Sequence, residues 1–557
     1  MEEGRRHGGW VLARALKELG FERVFGLAGG HVMAFFDGCL TEGIQVVDTR
    51  HEQAAVHMAE GWALATGRPA VAAVTAGPGV TNAATGVINA QQTGAPVVVI
   101  CGGTAADLDH RGAVQQIDAT DLYGRMVKWS RLARDPRRLR AHLLEAMHAA
   151  STGSPGVAVL QVPMNLTMDD APDQEEWTAP ASLAAPDPSD VEAAVKLLEA
   201  AERPVVLAGG GAHWSRAGDA LRAFTERTGI PVTTTSAARG LLPDSHPNCL
   251  GYLLHGGAAM VAADVVLILG SRFNANLVYG GMPLFRPDTR VVQVDVETER
   301  LGGPKAIEVG LAADVRLALE ALTAAWSAPT ERLNGWRAGV MELAEGSRAQ
   351  WRGYWENSPP SPVHPGRLAA EAVAAGLAEA GEEVSFVADG GDCLVWALAE
   401  FKAEHPGSIF HTSTALGTLG VGVPFANAAA MATGRPVVAM FGDGAFGLAA
   451  MEIDTAVRFS LPVTMCISNN AGWGDVRHEA ENWFGKGRIV AAELRDTDYA
   501  GMARALGAHG ERVETADDLR PAIERAVATQ GPALVDVTTD PEVLSELMRD
   551  LSQLGLM

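Results

Sequence analysis

Two oxygen-bearing side chains stand where chemistry could be done. Asp443 lies in VVAMFGDGAFG (437–447) and Asn470 ends VTMCISNN (463–470), each just past an apolar run that reads as a strand. The helical pattern AAMEIDTAVRF (449–459) separates them. In open parallel sheets the C-terminal strand ends form the ligand-binding edge. Two oxygen ligands on neighbouring strand ends can share one hard cation. The small residues Gly442, Gly444 and Ala445 let backbone amides approach a diphosphate, whose charge the cation and the following helix N-terminus would offset. A lone Gly-Asp-Gly is usually a turn. Strand, Gly-Asp-Gly, helix, strand and Asn-Asn in that order is far more specific.

The elements that must hold these residues follow one rhythm. From residue 20 to 165, apolar runs at Val24–Leu27, Val46–Asp48, Ala70–Thr75 and Val97–Cys101 alternate with helical stretches such as Glu52–Thr66. That alternation predicts parallel strands joined by crossover helices. A Pro-, Asp- and Ala-rich linker runs from about Asp169 to Pro188, after which PVVLAGGG (204–211), ADVVLILG (263–270) and VVQVDV (291–296) predict a second α/β block. The linker WRGYWENSPPSPVHPG (351–366) precedes a third, with strands near Val384, Val437, Val463 and Leu534. The fold class is therefore α/β, with three Rossmann-like open parallel-sheet domains at 1–168, 189–345 and 366–557.

With 67 acidic against 44 basic residues the net charge is -23, which disfavours nucleic acid as a partner. The cysteines Cys39, Cys101, Cys249, Cys393 and Cys466 form no metal-ligand spacing and read as reduced thiols of a cytoplasmic protein. The first twenty residues carry no signal-peptide core, and no apolar run reaches the ~20 residues of a membrane span.

The third block resembles the diphosphate-binding motif of thiamine-diphosphate enzymes. The resemblance implies a Mg²⁺ held by Asp443, Asn470 and the carbonyl of Gly472, with Gly444, Ala445, Trp473 and Gly474 beside the cofactor. DGGDC (389–393) is similar to the family's other diphosphate contact, through Gly391, Asp392 and Cys393; GTLGVGVP (417–424) resembles the segment that bends the cofactor, through Gly417 and Leu419. TRHEQAAVHMAEGWALATG (49–67) resembles the helix of acetolactate synthases and their relatives that makes Glu52 the catalytic glutamate. Its carboxylate would stabilise the imino form of the aminopyrimidine. TAGPGVTN (75–82) would place Pro78 and Asn82 near that ring. The three blocks become pyrimidine-binding, middle and diphosphate-binding domains, the last with a C-terminal lid, in a homodimer at minimum and a homotetramer in many relatives.

Two branches fit: acetolactate synthases, and the oxalyl-CoA decarboxylases and 2-hydroxyacyl-CoA lyases. Acetolactate synthases typically carry Glu-Gln-Gly-Met and Gln-Trp after the asparagines, where this chain has AGWGDVRHEAENWFG (471–485). The strand end GSRFNANLVYG (270–280) has Asn274, Ala275 and Asn276 in place of paired acids. These departures point to the acyl-CoA branch, hence to a lyase cleaving a 2-hydroxyacyl-CoA into formyl-CoA and an aldehyde or ketone. The alternative is acetolactate synthase or another 2-oxo-acid carboligase; a non-catalytic nucleotide-binding relative comes third. Arg272 and Asp295 are candidates for an adenine nucleotide: ADP or the CoA moiety in the acyl-CoA branch, FAD in acetolactate synthases. His31 and Gln115 are expected near the thiazolium. Glu493, in a lid that also holds Asp475, His478, Glu479 and Glu481, is the candidate acid.

Overall fold

The computed structural model describes residues 6–179, 182–411 and 416–553. The first five residues of the N-terminal segment, positions 180–181 of the first linker and the last four of the C-terminal tail thus lie outside the described residues. Three six-stranded sheets are present, and every strand pair in them is parallel. This is the three-layered α/β architecture that the alternating pattern predicts.

The first sheet is built from β1 (Arg23–Gly26), β2 (Gln45–Asp48), β3 (Ala70–Val74), β4 (Val97–Gly103), β5 (Trp129–Leu132) and β6 (Val157–Pro163), in the order β2-β1-β3-β4-β6-β5. The second has β7 (Pro204–Ala208), β8 (Val232–Thr234), β9 (Cys249–Tyr252), β10 (Val265–Leu269), β11 (Arg290–Asp295) and β12 (Val309–Ala312), ordered β12-β11-β10-β7-β8-β9. The third has β13 (Ser385–Asp389), β14 (Ile409–His411), β15 (Val437–Gly442), β16 (Val463–Asn469), β17 (His509–Val513) and β18 (Ala533–Thr538), ordered β14-β13-β15-β16-β18-β17. Central strands such as β3, β4 and β10 are buried along their whole length, as parallel strands covered on both faces must be.

Each sheet has a central switch point in its strand order, between β1 and β3, β7 and β10, and β13 and β15. At such a switch point the connections leave toward opposite faces, and a crevice opens at the C-terminal strand ends. The segments after β1 and β3 carry His31 and Thr75; those after β7 and β10 carry Gly209–Gly211 and Arg272; those after β13 and β15 carry Gly391 and Asp443. Sheet topology therefore places several of the residues that sequence reading singled out, His31, Arg272, Gly391 and Asp443 among them, at these ligand-binding edges.

The chain forms two compact units. One contains the first sheet together with residues 416–428, and the other contains the second and third sheets. In the first unit the helix Glu52–Thr66 is buried along most of its length. His51 caps its start by accepting from the Gln53 N–H at 3.1 Å, and Gly67, at φ 61°, ends it in the left-handed conformation.

Candidate active site

In the second unit, Asp443 is the first residue of the short helix Asp443–Gly447 and is only 1% exposed. Burial pushes its carboxyl up to about 6, opposed by the backbone N–H groups of Gly444 and Gly472 and by the charge of Arg477. Gly472 N–H donates to Asp443 Oδ2 at 3.0 Å, so the loop after β16 is tied directly to the strand end of β15.

The paired asparagines divide their labour. Asn469 is saturated: its Nδ2 donates to Thr497 O (3.2 Å) and Asp536 Oδ1 (3.0 Å), and its Oδ1 accepts from Ala471 N–H (3.3 Å). Asn470 Oδ1, by contrast, is buried with no hydrogen-bond partner. A buried acceptor without a donor costs about 1–3 kcal/mol, and a cation is the missing partner its chemistry fits. The described residues contain no group of three or more His, Cys, Asp or Glu able to hold a metal. A cation here would instead rest on one carboxylate, one amide oxygen, a main-chain carbonyl and the oxygens of its ligand.

Glycines set how closely this loop approaches. A Cβ on Gly391 would lie 2.7 Å from Asp475, one on Gly444 would lie 2.7 Å from the Trp473 ring, and one on Gly474 would lie 2.6 Å from Asn470 Nδ2. Ala445 beside them is buried. The small residues expected to admit a diphosphate thus also admit the 470–475 segment against the strand ends. Asp392 starts the helix Asp392–Glu400; its Oδ1 accepts from Ser545 N–H (2.9 Å) and its Oδ2 from Trp396 Nε1 (2.8 Å). Burial raises its carboxyl, and the bonds from Ser545 and Trp396 oppose that. Burial, joined by the charges of Asp392, Asp389 and Asp443, drives the Cys393 thiol far up, so it is no thiolate. Asp475 is pushed up to about 7 by burial and by Asp392 and Glu479.

Glu493 is exposed, while its backbone bridges Gly472: Trp473 N–H donates to Ala492 O and Leu494 N–H to Ala471 O, both at 2.8 Å. The chain does turn back toward the loop there. His478 is buried, with Nε2 unpartnered. The tail is fastened beside them, Ser545 on Asp392 and Arg477 on Pro541 O at 2.6 Å, before the helix Glu546–Gln553. Sequence reading passed over Arg477, whose charge acts on Asp443; a lone Arg in a charged helix gives no signal.

In the first unit, Glu52 is 7% exposed, and its Oε2 accepts from Asn82 Nδ2 at 3.0 Å. Gly79, in the short helix that Pro78 opens, is open toward Glu52: an added Cβ would stand 3.6 Å from Oε1. His31 Nδ1 lies 3.3 Å from Thr75 Oγ1, and burial lowers its basicity. Gln115 is exposed, held at φ 63°, and a Cβ on Gly77 would strike it at 2.7 Å. The structure therefore gathers Glu52, Asn82, Thr75, His31 and Gln115 around one strand edge. Thr75, not singled out from sequence, is betrayed only by its place at a strand end. Gly417, at φ 68°, and half-buried Leu419 lie in the 416–428 segment of this unit.

At the middle switch point, Gly209 and Gly211 are explained without a ligand. Added Cβ atoms would meet Ser271 at 2.5 Å and Gly270 at 2.7 Å, so the two loops touch backbone to backbone. Asp295 Oδ1 accepts from Glu297 N–H at 3.0 Å, and burial raises its carboxyl against the charges of Arg300 and Arg272. Burial is also what lowers Arg272.

Comparison with known proteins decides the family. The chain matches the thiamine pyrophosphate enzyme models for the N-terminal TPP binding domain (residues 6–122), the central domain (191–322) and the C-terminal TPP binding domain (389–537). It is 36% identical over 542 residues, 96% of both chains, to acetolactate synthase large subunit IlvG of Mycobacterium tuberculosis. It belongs to the acetolactate synthase branch of the thiamine-diphosphate enzymes. The acetolactate synthase large subunit of Corynebacterium glutamicum is 33% identical (94% of this chain, 85% of the relative). A probable acetolactate synthase large subunit of Methanocaldococcus jannaschii is 29% identical (96% and 92%).

These full-length matches overturn the assignment to the 2-hydroxyacyl-CoA lyase and oxalyl-CoA decarboxylase branch, and with it the acyl-CoA substrate, the lyase reaction and a CoA site at Arg272 and Asp295. The structure shows why the local departures misled. Asn274 caps the short helix Ala275–Gly280 by accepting from Asn276 N–H at 3.2 Å, a task that Asp and Asn perform alike. The altered residues after Asn470 still form a loop tied to Asp443 and a helix, Gly474–Phe484. Among the described residues no helix is long and apolar enough to cross a membrane.

Proposed function

We propose that this thiamine-diphosphate-dependent enzyme is an acetolactate synthase or a close 2-oxo-acid carboligase, joining two 2-oxo acids with loss of one carbon dioxide. The observation that carries the reading is 36% identity to an acetolactate synthase large subunit across 96% of both chains, with Glu52, Asp443 and Asn470 present in the sequence. Thiamine diphosphate supplies a nucleophilic carbon that adds to a carbonyl and then accepts the electron pair released on decarboxylation.

The residues of the chain do the rest. Asp443, Asn470 Oδ1 and the Gly472 carbonyl would hold Mg²⁺, a hard cation suited to oxygen ligands; the unpartnered Asn470 oxygen supports this set. Gly391, Asp392, Cys393, Gly444, Ala445, Trp473 and Gly474 would border the diphosphate. Glu52, oriented through Oε2 by Asn82, would share a proton with the aminopyrimidine N1′ through Oε1. His31, its basicity lowered, stays a neutral hydrogen-bonding group at pH 7 and with Gln115 would orient the 2-oxo acid. Leu419 would support the bent cofactor. Glu493 would act from the lid by shielding the site. Where the branch has a nucleotide in its middle domain, the resemblance makes it FAD; Arg272 and Asp295 are suited to its phosphate and ribose. No step requires it. The yellow colour and absorbance of the purified protein test it directly.

The deciding experiment incubates the protein with thiamine diphosphate, Mg²⁺ and pyruvate and measures acetolactate, converted by acid to acetoin. Formation dependent on both cofactors is expected. Cofactor binding without any product from pyruvate or 2-oxobutyrate would remove this assignment.

A further inference from the structure

The helix Asp392–Glu400 connects two places. Its first turn, with Gly391 as N-cap, forms part of the diphosphate cradle, and its nine residues span about 13 Å. The last carbonyls of any helix lack partners within it. Here they are met by side chains of the middle domain. Arg239, 4% exposed, donates through Nη1 to Leu398 O (3.3 Å) and through Nη2 to Phe401 O (2.5 Å). His255, 5% exposed, lies with Nε2 3.0 Å from Ala399 O and Nδ1 3.2 Å from Ser347 Oγ. Burial pushes this imidazole down to about 4, so it is neutral, with Nε2–H donating to the carbonyl.

Further contacts make this a grip rather than a stray cap. Asp244 fixes the Arg239 fork at 2.7 Å and also accepts from Ala403 N–H at 2.9 Å. The Asp244 N–H donates in turn to Ala403 O at 2.9 Å. The Gly240 backbone is pressed so close that an added Cβ would stand 2.0 Å from His405 O. A guanidinium at a helix C-terminus also complements the helix dipole. At the other end, Trp396 and Ser545 hold Asp392.

We propose that Arg239 and His255 are positioning residues for the cofactor: gripping the far end of this helix, they fix the height of Gly391 and Asp392, and the middle domain thereby sets the affinity for thiamine diphosphate. This rests on the reading of Gly391–Cys393 as a diphosphate cradle. A matched comparison exists in the same domain. Arg332 caps the helix Pro188–Ala200 in the same manner, through Ala201 O and Leu198 O, and that helix leads to no cradle.

The test compares Arg239→Met, Arg239→Lys and His255→Leu with Arg332→Met in the full-length protein. Thiamine diphosphate is titrated calorimetrically at saturating Mg²⁺, and kcat is read at saturating cofactor. Loss of charge-assisted bonds predicts a Kd for the cofactor raised about tenfold in Arg239→Met, with kcat within about twofold of wild type. Arg239→Lys, which keeps the charge without the fork, should fall between. Arg332→Met should lose comparable melting temperature and leave Kd unchanged. If all four variants bind the cofactor as wild type does, or if Arg332→Met weakens it equally, the proposal is overturned. Should Arg239→Met not fold, His255→Leu probes the same grip: a raised Kd supports the proposal and a wild-type Kd overturns it. A wild-type protein that binds no thiamine diphosphate instead defeats the functional reading on which the proposal stands.

Discussion

Replacing Gly391 by alanine tests the cradle with a single methyl group. The added carbon would stand 2.7 Å from both Cβ and Oδ2 of Asp475, whereas carbon atoms in contact settle at about 3.5–4.0 Å. Either the loop or the helix start must therefore give by about 1 Å. Asp475 has little room to retreat, since its neighbour Gly474 is already against Asn470 Nδ2. Overpacking of this kind costs about 1–3 kcal/mol, which corresponds to about 5- to 150-fold weaker binding if it falls on the bound state. Calorimetric titration of thiamine diphosphate with Mg²⁺ in excess reads that factor. The same change made in an Asp475→Gly background removes the clash, so the penalty should shrink to about threefold or less, a coupling that a double-mutant cycle isolates. Wild-type affinity in Gly391→Ala, or an undiminished penalty in the double variant, would refute the reasoning.

Three further outcomes are expected. Glu52→Gln should bind the cofactor but lose about 10² to 10⁴ in rate, with exchange of the cofactor C2 proton, followed by NMR, slowed in parallel; wild-type exchange would move the role elsewhere. Asn470→Ala should raise the Mg²⁺ concentration needed for half-maximal cofactor binding while leaving the apo-protein as stable or more so, because an unsatisfied buried oxygen is removed; unchanged Mg²⁺ dependence would exclude Asn470 as a ligand. His255 and His364 are both lowered to about 4 by burial, below the unfolded value of about 6.5. The unfolded chain therefore binds more protons between these values, and stability, complete above about pH 6.5, falls as pH drops toward 4, by about 3 kcal/mol for each histidine. His364 also caps the helix Pro365–Ala380, so His364→Asn, which keeps a cap and loses the titration, should flatten the melting temperature between pH 4.5 and 6.5; an unaltered slope would count against it.

The fold class and most of the site were legible because both rest on local signals. Apolar runs ending in Gly, Asp or Asn mark β4, β7, β10, β15 and β16, a run ending in Thr75 marks β3, and the helix Glu52–Thr66 falls where its pattern predicts. The strands that sequence reading passed over are mostly sheet edges. β5 (WSRL), β12 (VGLA) and β17 (HGERV) are short and only partly buried, so neither length nor hydrophobicity distinguishes them from loops. Strand order, and with it the three switch points, depends on pairings remote in sequence. The branch was misjudged at residues 274–276 and 471–485, where the backbone tolerates either family's side chains and the whole-chain likeness carries the information. No pattern of residue types could have revealed that Asn469 is saturated while Asn470 has a free oxygen, since the two share one residue type and adjacent positions.

The first compact unit is completed by a segment that arrives very late. Gly61, on the helix that carries Glu52, lies so close to Phe425 and Ala428 that an added Cβ would stand 3.1 and 3.0 Å from them, and the His57 ring meets Phe425 edge-on at 6.0 Å. Phe425 is 1% exposed and Ala428 not at all. A ribosome adding about 5–20 residues each second needs about 20–70 s to travel from Gly61 to Phe425. For that interval the helix Glu52–Thr66 has been made while the segment that covers Gly61 has not, so the first unit cannot be completed until synthesis has passed the whole second sheet and the first two strands of the third.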